Sequence, residues 1–108
     1  MDIRIGDLRH RLTLEMVVRA DDGCGGAEEN WVAIGEMWGA VRPAGGSERE
    51  VSDQLAGNIS HEIWIRYRTG VNPSMRFRSG ARVFEVRAAI DADERRRFLR
   101  CFAEERDL

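Results

Sequence analysis

Apolar and polar residues alternate along most of the chain, a period of two that marks strands. From Leu8 to Arg19, Leu8, Leu12, Leu14 and Met16 fall on alternate positions between charged neighbours, which predicts a half-buried strand. Trp31 to Arg42 resumes the pattern, and its glycines, Gly35 and Gly39, suggest bulges or a tight bend at a barrel corner. Ile59 to Arg68 alternates most clearly, with Ile59, His61, Ile63, Ile65 and Tyr67 on one face and Ser60, Glu62, Trp64, Arg66 and Arg68 on the other. Met75 to Arg78 reads as a short strand, Ser79-Gly80 as a tight hairpin signal, and Arg82 to Ile90 as a strand burying Phe84, Val86, Ala88 and Ile90.

Between these runs the chemistry changes. Ala20 to Asn30 holds three glycines and four acids without apolar periodicity, which predicts an exposed loop or wide hairpin connection. After Pro43-Ala44-Gly45-Gly46, the run Ser47-Glu48-Arg49-Glu50 reads as a capping box opening a short helix from Glu48 to about Ala56. Val51 and Leu55 give that helix one narrow apolar stripe, and Gly57-Asn58 ends it. The stretch Asp91 to Leu108 fits either a helix, by propensity, or a strand, by the alternation of Phe98, Arg100 and Phe102 with Leu99, Cys101 and Ala103. The expected fold is therefore all-β: a small antiparallel barrel or sandwich of five or six strands with one short helix inserted at about 43–58.

Length and composition narrow the class. One hundred and eight residues make one domain, spanning 1–108, and leave no room for a second catalytic unit. No apolar run approaches the roughly 20 residues of a membrane span, and the N-terminus lacks the basic and apolar regions of a secretory signal. Cys24 and Cys101 do not make a disulfide framework, and both are expected to be free thiols. All 17 basic residues are arginine and 19 acids outnumber them, so a general nucleic-acid coat is disfavoured while forked pairing with carboxylates is favoured.

Candidate chemistry is sparse. His10 and His61 sit inside charged strand segments without a nucleophile or a third orienting group. A zinc site would have to gather Cys24, Cys101, His10 and His61 from four distant segments, with no C-x-x-C spacing. Gly23-Cys24-Gly25-Gly26 lacks the Gly-Lys-Ser/Thr of a phosphate loop. No catalytic residue, cofactor or metal is expected. Arg66, Tyr67 and Arg68, with Arg76 and Arg78 on a neighbouring strand, could form a basic face carrying an aromatic, which would make a single-stranded nucleic-acid-binding module the alternative function. Trp64, on the polar face of its strand, is expected to be partly exposed and to anchor a protein partner.

Several motifs, taken in order, carry a more specific signal. Ile5-Gly6-Asp7-Leu8-Arg9-His10-Arg11-Leu12 comes first, then Trp31, then Trp38-Gly39-Ala40-Val41 and Pro43. After a Gly-Ser-Glu helix come His61-Glu62-Ile63-Trp64-Ile65-Arg66-Tyr67-Arg68-Thr69-Gly70 and Arg76-Phe77-Arg78-Ser79-Gly80-Ala81-Arg82-Val83-Phe84-Glu85-Val86. This set resembles the phage head-tail joining family, also called head closure, stopper or connector proteins, which includes gene transfer agent homologues.

The resemblance implies a small barrel with an inserted segment and a structural role without catalysis. Copies would form a homo-oligomeric ring between the portal or adaptor and the tail terminator, retaining packaged double-stranded DNA and docking the tail. The chain would be cytoplasmic during assembly and then part of the virion, with no membrane contact. The inserted segment would reach the channel, where Glu48, Glu50 and Asp53 would line it with acid and let DNA pass without sticking. Trp64, Arg66 and Arg68 would serve the contact between subunits or with the connector. The family's closing strand also favours strand at Phe98 to Ala103, after a short helical turn at Asp93 to Arg96.

Overall fold

Strand pairing organises almost all of the described chain, which in this computed structural model comprises residues 3–21, 23, 25–45 and 59–106. After one 3-10 turn at Ile5–Asp7 come β1 (His10–Asp21), β2 (Ala27–Pro43), β3 (His61–Arg66), β4 (Met75–Ser79), β5 (Arg82–Asp91) and β6 (Phe98–Arg106). Every pairing is antiparallel, and the order β1-β2-β3-β6-β5-β4 returns β4 to β1, closing the sheet into a barrel. The all-β expectation and the upper strand count hold. The helix expected from Glu48 to Ala56 lies outside the described residues, as does all of the insertion beyond Gly45 and before Ile59. Among the described residues no helix is long and apolar enough to cross a membrane.

The inward side chains are those the alternation predicts. Leu12 and Leu14 of β1, Ile63 and Ile65 of β3, Phe77 of β4, Phe84 and Val86 of β5, and Leu99, Cys101 and Ala103 of β6 fill one core. Burying each of the larger ones contributes about 1.5–3 kcal/mol. Closing so small a barrel brings backbones together at Gly39, where a Cβ would overlap the Leu12 Cδ1 and stand 3.0 Å from the Trp64 carbonyl oxygen. At Gly35 the same space is taken by the Arg68 guanidinium, 2.7 Å from where a Cβ would sit. The expected bulge is beside it: Glu15 pairs with Ala33 but Leu14 with Gly35, so Ile34 is an extra residue.

Four expectations are corrected. The acidic stretch Ala20 to Asn30 is mostly strand, since β1 runs to Asp21 and β2 starts at Ala27; cross-strand backbone bonds hold what hydrophobic periodicity does not mark. β4 pairs with β1 only as far as Met16, and beyond it β1 and β2 pair with each other alone, as a two-stranded arm. Met16, predicted to be buried, lies where that arm leaves the barrel and is exposed. On β5, Val86 pairs with Ala103 but Ala88 with Phe102, so Arg87 is a bulge that inverts the phase; Ala89 packs on the core and Ile90 is exposed.

The fourth correction concerns the turn into β6. Phe98 to Ala103 is strand, as the resemblance favours. Asp93 to Arg96, however, is a bend and not a helical turn. The Asp93 and Asp91 carboxylates accept the Arg95 and Arg96 backbone N–H groups, and Glu94 and Arg96 adopt left-handed backbone angles.

Candidate assembly interface

With no lysine in the chain, the charges of the barrel wall resolve into arginine–carboxylate pairs. Glu15, 3% exposed, accepts Arg76 Nε at 2.8 Å and pairs with Arg78 at 3.1 Å, and Arg76 stacks 4.0 Å over the Trp31 ring. Arg82 Nε donates to Glu105 at 2.7 Å, holding that carboxyl below its usual range. Arg87 bridges Glu104 and Glu85 across the β5–β6 pair. Arg100 pairs with Glu62 at 2.6 Å and lies over the Trp64 and Phe102 rings.

These pairs remove the basis of the nucleic-acid alternative. The expected basic face needs Arg76 and Arg78 beside Arg66, Tyr67 and Arg68, but β4 neighbours β1 and β5 and never touches β3 in the sheet. Both arginines converge on Glu15 instead. No continuous basic and aromatic strip forms there.

Trp64 is likewise corrected. Its ring is 2% exposed, packed with Leu8 and Ala40 in a second small core on the outside of the wall, and its Nε1 donates to Glu62 at 3.0 Å. Trp64 does lie on the outward face that the alternation assigns to it, but Ile3, Ala92 and Phe98 cover that face, so β3 is buried on both sides. The exposed tryptophan is Trp38, at 53%, with Arg11 5.4 Å from its ring centre. Its outward place next to the close-packed Gly39 was legible in the alternation of β2, although no motif marks it as exposed.

Arg66, at the end of β3, is exposed as expected, while Arg68 is half-buried against Gly35. Arg66 borders two adjoining hollows. One, of about 630 Å³, lies between Ile3, Arg4 and Ile5, the Arg66-Tyr67 pair, and Arg96, Arg97 and Phe98. The other, of about 430 Å³, is mostly apolar and is lined by Ile5, Leu8, Met37, Trp38 and Arg66. Ile5 is 59% exposed between them. Arg97 is held by Asp93, whose carboxyl it keeps below the usual range. Arg66 and Arg96 form no ion pair among the described residues. The result is an open, arginine-rich rim beside an exposed tryptophan, a surface suited to an anionic protein segment.

Glu48, Glu50 and Asp53 lie outside the described residues. His61 is half-buried, hydrogen-bonded through Nδ1 to the Ser60 hydroxyl at 2.9 Å, and burial lowers its pKa below the ordinary 6.5. Cys101 is fully buried and its thiol is pushed up to about 12. Among the described residues no group of three or more His, Cys, Asp or Glu side chains could hold a metal ion.

A family model described as phage head completion protein matches residues 3–106. Among solved structures, one similar chain comes from a virion of a native gene transfer agent particle, 36% identical, with 92% of this chain and 96% of that one covered and a TM-score of 0.67. Another is the solution structure of protein SF1141 from Shigella flexneri 2a, 26% identical, with coverage of 95% and 96% and a TM-score of 0.74. Among curated proteins nothing matches. The strand order, the arginine-laced wall and the N-terminal segment that covers Trp64 all fall inside the matched span, and the chain belongs to the phage head completion protein family.

Proposed function

We propose that the chain is the head-closure subunit of a phage or phage-like particle, a structural part without catalysis. Copies form a ring between the portal or adaptor and the tail terminator, hold packaged double-stranded DNA in the head and give the tail its docking platform. The observation that carries this reading is the family match across residues 3–106, joined to 36% identity with a chain from a gene transfer agent virion. A ring of identical subunits needs two different patches of complementary charge on each copy, and a barrel whose Lys/Arg positions are all arginine supplies forked donors for carboxylates on a neighbour.

In this reading Arg66 and Trp38 belong to the contact between subunits or with the connector. Arg68 acts through the backbone it packs against at Gly35, and Trp64 acts by holding the wall. The insertion reaches the channel, and Glu48, Glu50 and Asp53 face DNA with like charge, so no phosphate is neutralised, no counterions are released and the duplex passes without sticking. Assembly takes place in the cytoplasm and ends in the virion.

Cryo-electron microscopy of particles from the source tests the reading. A ring of this chain between portal and tail, with the insertion at the channel, is the expected density. A neck with no density for the chain overturns it.

A further inference from the structure

The rim that Arg66 borders and the arm built by β1 and β2 carry opposite charge. At the far end of the arm, Glu28 pairs across to Ala20 and so shares a face with Met16, Val18 and Val32; it is exposed and in no ion pair among the described residues. Its neighbour Glu29, on the opposite face with Asp21, is already matched by Arg19 at 3.2 Å. At the rim, Arg66 and Arg96 are exposed and form no ion pair among the described residues, and Arg4 stands in the same cleft of about 630 Å³. The arm also carries an exposed apolar strip of Met16, Val18 and Val32, and the neighbouring hollow exposes Ile5 and Trp38.

The acidic end cannot reach the rim of its own chain. Ten residues of β2 separate Ala27 from Met37, which borders the rim, and at about 3.3 Å per residue they span roughly 30 Å. Strand pairing from His10 to Asp21 keeps the arm extended, and the molecule is accordingly 51 Å long against 29 and 26 Å. Two complementary patches at different places on one surface make a heterologous contact, which propagates head to tail and closes when the rotation per step fits.

We propose that the β1–β2 arm of one copy docks into the arginine rim of the next, Glu28 meeting Arg66 and Arg96 while the Met16, Val18 and Val32 strip on the same face covers Ile5 and Trp38. This rests on the ring reading above and names the contact that builds the ring. The occupant is a second copy because the same sequence supplies both the acidic arm and the arginine rim, and neither patch has a mate among the described residues.

The experiment uses whole particles. In a Cys24→Ser background, Glu28→Cys and Arg66→Cys are introduced together, the particles are oxidised, and the chain is run on a denaturing gel without reductant. Cys101 is buried and takes no part. A ladder of covalent multimers that requires both new cysteines is the expected result. Monomer alone, from particles whose necks show the ring in micrographs, overturns the contact while leaving the ring reading intact, and assigns the rim to another anion such as DNA phosphate. Necks that lack the chain overturn both. A second comparison does not depend on disulfide geometry. Glu28→Arg lowers the yield of tailed particles about tenfold through like-charge contact, and adding Arg66→Glu with Arg96→Glu restores it. Failure of that pair to restore yield in folded protein overturns the proposal.

Discussion

Arg100 reaches from β6 to grip one carboxylate oxygen of Glu62 on β3 with both Nε, at 3.0 Å, and Nη2, at 2.6 Å, while the other oxygen accepts Trp64 Nε1 at 3.0 Å. Glu62 is 7% exposed. A buried carboxylate held on every side is costly to strand, so Arg100→Met lowers stability by about 3 kcal/mol, read as a fall in the urea midpoint. Replacing both partners, as in Glu62→Leu with Arg100→Met, recovers most of the loss because no unpaired charge is then buried. A double variant no more stable than the single one contradicts this account.

The two tryptophans of the rim region divide stability from assembly. Trp64→Ala removes the centre of the outer core and costs about 3–5 kcal/mol of unfolding free energy. Trp38→Ala, at an exposed position, shifts the thermal midpoint little but reduces the incorporation of the chain into particles. Thermal melts set beside particle yields separate the two effects.

Gly39 and Gly35 respond differently to the same added methyl. Gly39→Ala forces Leu12 and the backbone at Trp64 apart inside the barrel and costs about 1–3 kcal/mol. Gly35→Ala meets only the far end of the Arg68 side chain, which swings away, so its stability changes by less than about 1 kcal/mol. Chemical denaturation of both variants measures the difference.

His61 gives stability a pH dependence of known sign. Burial holds its folded pKa below the ordinary 6.5, so the unfolded chain binds a proton more readily and stability falls as pH drops through about that value. The Glu105 carboxyl, held low chiefly by its hydrogen bond from Arg82, contributes stability that is lost only at more acidic pH, below the ordinary 4.5. Melting temperatures between pH 8 and pH 5 should therefore decline, and His61→Gln should flatten that part of the curve while leaving the acid limb. A decline in the variant equal to that of the parent removes the assignment.

Where a strand kept one phase from end to end, the sequence was enough. Ile63 and Ile65, Phe77, and Leu12 with Leu14 point inward as their alternation requires. Phase was lost at two inserted residues: the one at Ile34 is flagged by the adjacent Gly35, but no local signal marks Arg87, and Ile90 was misplaced as a result. Trp64 failed for a different reason. Its polar neighbours describe a solvated face, yet Leu8 arrives from far along the chain to cover it, and long-range covering leaves no periodic trace. The acidic arm was illegible because backbone pairing, not apolar side chains, makes it a strand. At the rim, Arg66 and the outward place of Trp38 follow from strand alternation, whereas Arg96 joins them only because three separate segments converge.

The ends of the insertion are fastened to each other, since the Ala44 N–H donates to the Ser60 carbonyl at 2.9 Å directly beyond the last β2–β3 pair, Pro43 with His61. Whatever runs between them leaves and re-enters the barrel at one point, and closing a longer excursion adds only about 0.6 kcal/mol for each doubling of its length. The barrel is therefore indifferent to what is spliced there. Packing leaves the length and sequence of this segment open, so in the proposed reading they are set by the channel and not by the barrel. For an engineer it is the natural graft point, able to carry a foreign peptide without asking the scaffold to refold around it.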